Sequence, residues 1–299
     1  MPRGGRRENT VKIDDEIRRT IEDIITLVGI GEELRRRRLP NKPAISRSTI
    51  ARVCDGMLYS VKKLQACPFD RNREDVKEAR RNYAQWVLEE GLVAADLIFV
   101  DESGFNLWTQ RTRGRSRVGE KAVRVVGNQR GKNLTLLMGI SPQLGIVHAA
   151  FNEGGTGKEK FQSFLDDLSA RVAERVPLGE NQKIFLVMDN APCHKNCESQ
   201  YEVKFLPAYS PFLNPIESAF SCWKAAVKRG LALPHVQQNV NDRNAAAAAG
   251  HSLLSWRRQI LTNIGQEALT EITPEKCSAW HRHCITYLPR CQDLIDIFW

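Results

Sequence analysis

The sequence predicts an α/β protein, a mixed sheet flanked by helices, preceded by a small all-α region of helix-turn-helix type. Three observations predict it. From about residue 96 the pattern runs strand, two hairpin strands, helix, strand, strand, helix, and such alternation packs helices against a sheet. Ahead of residue 96 the apolar residues recur at helical spacing. With 299 residues, 42% hydrophobic and 26% charged, the chain can bury a sizeable core, and the composition excludes disordered, collagen-like and rod classes.

Taken in order, residues 1–10 are rich in Gly, Arg and Pro and read as a disordered tail. Residues 11–29 carry Ile13, Ile17, Ile21, Ile24 and Val28 near a 3.6 period, an amphipathic helix that Gly29 ends. A linker with two prolines and Arg35 to Arg38 follows, then a short helix over 45–64. Residues 70–95 read as a connecting helix with Val76, Tyr83, Trp86 and Val87 inward. DLIFVDE (96–102) is a strand, NLTLLMGIS and GIVHAAFN form a hairpin, and 156–176 is a helix with Phe161, Phe164, Leu165, Leu168 and Val172 on one stripe. KIFLVMDN and YEVKFLP are strands, and a helix opens at Asn214 with Pro215 in its first position. The organisation is thus a helical region over 11–69, the α/β core over 96–235, and C-terminal helices over 236–299 with turns near 265 and 273.

The formal net charge is +9, and residues 1–69 alone hold +6 of it. A basic excess points to an anionic partner, most often nucleic acid. No apolar run approaches the roughly 18 residues of a membrane span, and no apolar stretch follows the basic residues at the start, so a secretory signal is not expected. The eight cysteines are therefore expected to be free thiols of a reducing compartment. Cys277, His281 and Cys284 fall at i, i+4, i+7, the inner face of a helix rather than a zinc set. Cys193 and Cys197 flank His194, but one short cluster cannot close a structural metal site.

Three acids sit where chemistry can use them. Asp101 follows Leu97-Ile98-Phe99-Val100, Asp189 follows Ile184-Phe185-Leu186-Val187-Met188, and Glu217 lies in the first turn of the helix opened by Asn214-Pro215. Strand ends of open α/β sheets are where sites form. Two such carboxylates plus a helical glutamate suit two hard divalent cations, which take oxygen ligands and can clamp a phosphodiester between them. Glu102 points away from Asp101 by strand alternation and is not expected to be a ligand.

VDESGF (100–105), VMDNAPCH (187–194) and YSPFLNPIESAFSCWK (209–224) resemble, in order, the three catalytic blocks of mariner-type transposases of the DDE superfamily. The resemblance implies an RNase H-like fold and makes Asp101, Asp189 and Glu217 the ligands of Mg2+ or Mn2+. It reads Asn190 and His194 as residues behind those ligands or facing DNA, Trp223 as core, and Lys224 as a phosphate contact beside the site. The implied function is an endonuclease that cuts element ends and joins the 3′-hydroxyl to target DNA. The rival is a host-derived DNA-binding protein that no longer cuts. Two departures from the family stand out: only 27 residues separate Asp189 from Glu217, and the N-terminal region has room for about one and a half helix-turn-helix units. The expected partners are double-stranded DNA and a second copy of the chain, with no membrane, in the nucleus (the cytoplasm for a bacterial source).

Two basic stretches complete this reading. Arg47, Thr49 and Arg52 lie in a segment with the length and small-residue pattern of a recognition helix. Arg111, Arg113, Arg115 and Arg117 alternate, so a strand there would present four guanidiniums on one face, an arrangement that phosphates favour. Changing Arg113 and Arg115 to Ala should then weaken binding to duplexes of every sequence and flatten its salt dependence. Binding measured across a salt series checks this, and an unchanged slope returns the segment to a solvated edge.

Overall fold

The computed structural model describes residue 52 and residues 67–90, 97–106, 116–121, 123, 133–175, 183–195 and 197–298. The chain divides into two units, Met1–Ala66 and Cys67–Trp299. In the first, Arg52 is helical and exposed. The expected helices over 11–29 and 45–64, with Arg47 and Thr49, lie outside the described residues, as do Arg111, Arg113 and Arg115.

The second unit is built on five strands, β1 (Leu97–Phe105), β2 (Leu134–Ser141), β3 (Gly145–Glu153), β4 (Phe185–Met188) and β5 (Glu202–Phe205), in the order β3-β2-β1-β4-β5. β1 pairs antiparallel with β2 and β2 with β3, whereas β1–β4 and β4–β5 are parallel. The sheet is mixed, as its sequence order required. Side chains alternate across it: Leu97 and Phe99 enter one core, Ile98 and Val100 the other. Every residue of β2 is buried, which explains its unbroken apolar run.

Helix α1 (Glu74–Glu89) precedes the sheet, and α2 (Lys158–Arg175) covers one face with Phe161, Phe164, Leu165, Leu168 and Val172. The opposite face takes α3 (Pro215–Leu231), whose Ile216, Ala219, Phe220, Trp223, Ala226 and Val227 form its buried stripe. Short helices α4 (Pro234–Asn239) and α5 (Arg243–Ala248) lead to α6 (Leu253–Ala268), α7 (Pro274–Ile285) and α8 (Leu288–Gln292). Trp223 is core, edge-on to Phe105 at 4.6 Å.

Two expectations need correction here. The turn near 265 does not form, since α6 runs through Gly265. That glycine is there for close approach: a Cβ would lie 3.0 Å from the Phe151 ring and 3.3 Å from Phe105, and its carbonyl accepts the Trp223 indole N–H at 2.8 Å. Arg117 lies in no strand, because it sits on exposed irregular chain just before the Val118–Gly119 turn, where Gly119 takes φ 89°.

Cys277, His281 and Cys284 are buried on the inner face of α7, as their spacing indicated. Burial pushes the His281 imidazole from 6.5 down to about 4, so it is neutral in the folded chain. The unfolded chain therefore binds the extra proton between those values, and stability falls as pH drops below about 6.5 toward 4. His281→Leu should flatten that part of the stability profile, measured by denaturant unfolding at several pH values.

Candidate active site

The site begins with strand register. In the parallel β1–β4 ladder Phe99 stands opposite Val187. Two residues further on, Asp101 lies within β1 and Asp189 directly follows the last residue of β4. β4 ends at Met188 while β1 continues to Phe105 against β2, so Asp101 stands mid-strand, at the end of the parallel ladder only. The longer β1 corrects the expected end near residue 102, and the pairing with β2 is its cause.

Chain leaving β5 turns back through Leu206–Asn214 and enters α3, whose first turn carries Glu217. Asp101, Asp189, Asn190, Asn214 and Glu217 thereby line one cleft of about 370 Å³. Asn190 closes one wall, its side-chain amide donating to the Leu206 carbonyl at 2.6 Å. Asn214 is the N-cap of α3 but makes no capping hydrogen bond with its side chain. Its amide instead donates to Asp101 Oδ2 at 3.4 Å, and its buried Oδ1 has no partner among the described residues.

The three carboxyls have unequal surroundings. Burial, with Asp189, Glu217 and Glu102 nearby, pushes Asp101 up to about 7, although the Glu102 N–H donates to Oδ1 at 2.7 Å. Asp189 is held below the usual range, chiefly by the His194 imidazole, whose Nδ1 lies 2.6 Å from Oδ1, and by the Ala191 N–H. Glu217 opens to solvent, yet the cleft walls raise it, while Lys224 two turns along α3 draws it back down. Titrations driven apart in one cleft are the arrangement that acid–base and metal chemistry draws on.

His194 joins a residue that strand alternation had set aside. Its Nε2 lies 2.8 Å from Glu102 Oε2, and its ring stacks on Phe161 at 4.3 Å. Burial opposes charging this imidazole, but the carboxylates of Asp189 and Glu102 outweigh it and hold it up to about 10. Glu102 does point away from Asp101; the turn after β4 brings His194 round to meet it.

Sequence reasoning also passed over Arg80. It is buried on α1 and donates to Ser210 Oγ at 2.8 Å, Asn72 Oδ1 at 3.1 Å and the carbonyls of Arg71 and Tyr209 at 2.6 and 3.3 Å. These bonds pin the cleft loop, where Tyr209 takes φ 53°, a left-handed conformation that costs a non-glycine residue about 1 kcal/mol or more. Position 80 falls on the same helical stripe as Val76 and Tyr83, the one signal that it faces inward.

The donor set fits a hard divalent cation. It offers carboxyl oxygens from Asp101, Asp189 and Glu217, a buried amide oxygen on Asn214 that has no partner among the described residues, and neighbouring carboxylates crowded around Asp101. Among the described residues, Asp101, Asp189 and His194 bring ligand atoms within 4.8 Å of one another, whereas Glu217 lines the same cleft outside that set.

Residues 96–238 match the family model described as DDE superfamily endonuclease. This segment is similar to the endonuclease domains of the DDE superfamily. Among solved structures, the chain is similar to the Mos1 transposase paired-end complex with left transposon end, at TM-score 0.64 and 15% identity over 99% of this chain and 83% of that one. It is similar to a pre-cleavage Mos1 transpososome at TM-score 0.63 and 15% identity, covering 99% and 83%. The Mos1 mariner paired-end complex with Mn gives TM-score 0.57 and 16% identity, covering 90% and 81%. The shared fold is RNase H-like, a mixed sheet flanked by helices. No curated protein matches the sequence.

Asp101 keeps its proton up to about 7, so a cation that binds it must displace that proton. Mn2+ affinity should rise by up to roughly tenfold per pH unit below that point. Calorimetry in buffers of different ionisation heat should show proton release that Asp101→Asn abolishes; no release in the parent would contradict this environment for Asp101.

Proposed function

We propose that the chain is a mariner-type DDE transposase, cutting double-stranded DNA at element ends and joining the 3′-hydroxyl to target DNA. The observation that carries this reading is the convergence of Asp101, Asp189 and Glu217 on one cleft of an RNase H-like domain. It is supported by the endonuclease family match and by similarity to Mos1 complexes with a transposon end and with Mn. Asp101, Asp189 and Glu217 would hold Mg2+ or Mn2+. Bound there, the cations would stabilise charge on the attacking and leaving oxygens of the phosphodiester.

The chain's own residues have distinct tasks. Asp189 is kept ionised and aimed by His194, which Glu102 holds from behind. Asn214 holds Asp101, and Arg80 fixes the loop that ends at Asn214. Lys224 lies close enough to Glu217 to influence its charge, and on this reading meets a phosphate at the rim. Arg52 and Arg117, both exposed, would contact the duplex with the other N-terminal and 111–117 basic residues. We place the work in the nucleus, or the cytoplasm of a bacterium, and the active assembly as a homodimer.

Asp189→Asn leaves His194 a hydrogen-bond acceptor but removes the charge that a cation needs. Cleavage of the gene's own flanking DNA in Mg2+ or Mn2+ should fall below detection while duplex binding stays nearly intact, since affinity comes from lysines and arginines elsewhere. A parent that binds but never cuts would favour the host-derived reading. A parent that cuts, with a variant that cuts equally well, would remove Asp189 from the chemistry.

A further inference from the structure

We propose that Glu102, Cys193 and His194 form a site for a thiophilic divalent cation, Zn2+ before others, behind the carboxylate cleft and joined to it through Asp189. Carboxylate, thiolate and imidazole are the three ligand types of zinc sites. They come together here from separate elements: Glu102 from β1, and the Cys193-His194 pair from the turn after β4. Their ligand atoms all lie within 4.8 Å of one another.

The spacing suits the ion. Zn–S of about 2.3 Å and Zn–O of about 2.0 Å place tetrahedral sulfur and oxygen ligands roughly 3.5 Å apart. Cys193 Sγ lies 3.5 Å from Glu102 Oε1. His194 Nε2 lies 2.8 Å from Glu102 Oε2. That pair must open by about 0.5 Å to reach a tetrahedral nitrogen–oxygen separation. The glutamate can make that move, since its side chain is partly exposed, whereas the imidazole is fully enclosed.

The imidazole is already aimed. Asp189 holds its Nδ1 at 2.6 Å and the Phe161 ring stacks against it, leaving Nε2 directed at Glu102. A carboxylate on one ring nitrogen with the other turned to the ligand pocket is the carboxylate–histidine–metal arrangement that orients zinc ligands. Three protein donors leave the fourth tetrahedral position open to water or another ligand.

The two sites select different ions. The carboxylates lining the cleft offer oxygen donors, which suit Mg2+ and Mn2+; the pocket behind it adds sulfur and nitrogen, which a hard cation declines. Asp189 belongs to both, since it lines the cleft and holds His194. Occupancy of one site must then alter affinity at the other, in both directions equally.

The test uses the full chain, freed of metal and kept in excess Mg2+, titrated with Co2+ as a spectroscopic stand-in and then with Zn2+. The expected result is tetrahedral Co2+ with a thiolate-to-metal charge-transfer band, displaced by Zn2+. Cys193→Ser should abolish the band and weaken Zn2+ binding by more than the roughly 10–100-fold that losing an outer partner costs. Cys197→Ser should leave both unchanged. X-ray absorption of the zinc-loaded parent decides even if a variant fails to fold: a single sulfur among nitrogen and oxygen neighbours supports the site. An all-oxygen octahedral cobalt spectrum, a band that survives Cys193→Ser, or zinc with no sulfur or several would overturn it. These readouts need no DNA, so they stand apart from the outcome of the cleavage assay.

Discussion

The parallel ladder between β1 and β4 is the constraint on which the rest depends. Its register brings Asp101, on β1, beside the end of β4 that Asp189 follows, although 87 residues lie between them. Two carboxylates that close repel each other, and the strands tolerate them because both faces of the ladder are locked into apolar cores. Leu97 and Phe99 anchor β1 on the α3 side, Ile98 and Val100 on the α2 side. A one-residue slip of either strand would exchange those sets and carry its acid to the wrong face.

The charge imbalance is then settled differently at each acid. Asp189 has a buried cationic partner in His194 and stays ionised; Asp101 has a weak amide contact from Asn214 and is pushed toward its neutral form. The cleft is therefore short of positive charge on the Asp101 side, where the unpaired Asn214 oxygen also lies. A cation entering such a pocket would stabilise it, which would couple metal binding to local order. The rigidity comes from behind, from the Glu102–His194 pair beside α2 and from Arg80, which ties α1 to the loop before α3.

Much of this was legible in the sequence because it rests on local signals. The apolar runs at 97–100 and 184–188, the stripe on 158–175, and Asn214-Pro215 ahead of Glu217 each specify an element and its direction. The three acids could be picked out because each lies beside such a signal. What escaped depends on elements meeting. Glu102 was set aside on the alternation of a single strand, which says nothing of a histidine arriving from the turn after β4. Arg80 carried no signal of its own beyond its helical stripe; two of its partners lie 129 and 130 positions away, at Tyr209 and Ser210. Gly265 suggested a turn because its reason for being small is the Phe105–Phe151–Trp223 aromatic cluster, assembled from three other elements.

The central claim is that strand register builds a cation-binding cleft from Asp101, Asp189 and Glu217. Anomalous diffraction from crystals of the chain soaked in Mn2+ tests it most directly. Manganese density is expected between the carboxylates of Asp101 and Asp189, with Glu217 and Asn214 bordering it. Density confined to other surface acids, or none at saturating Mn2+ above pH 7, would contradict it.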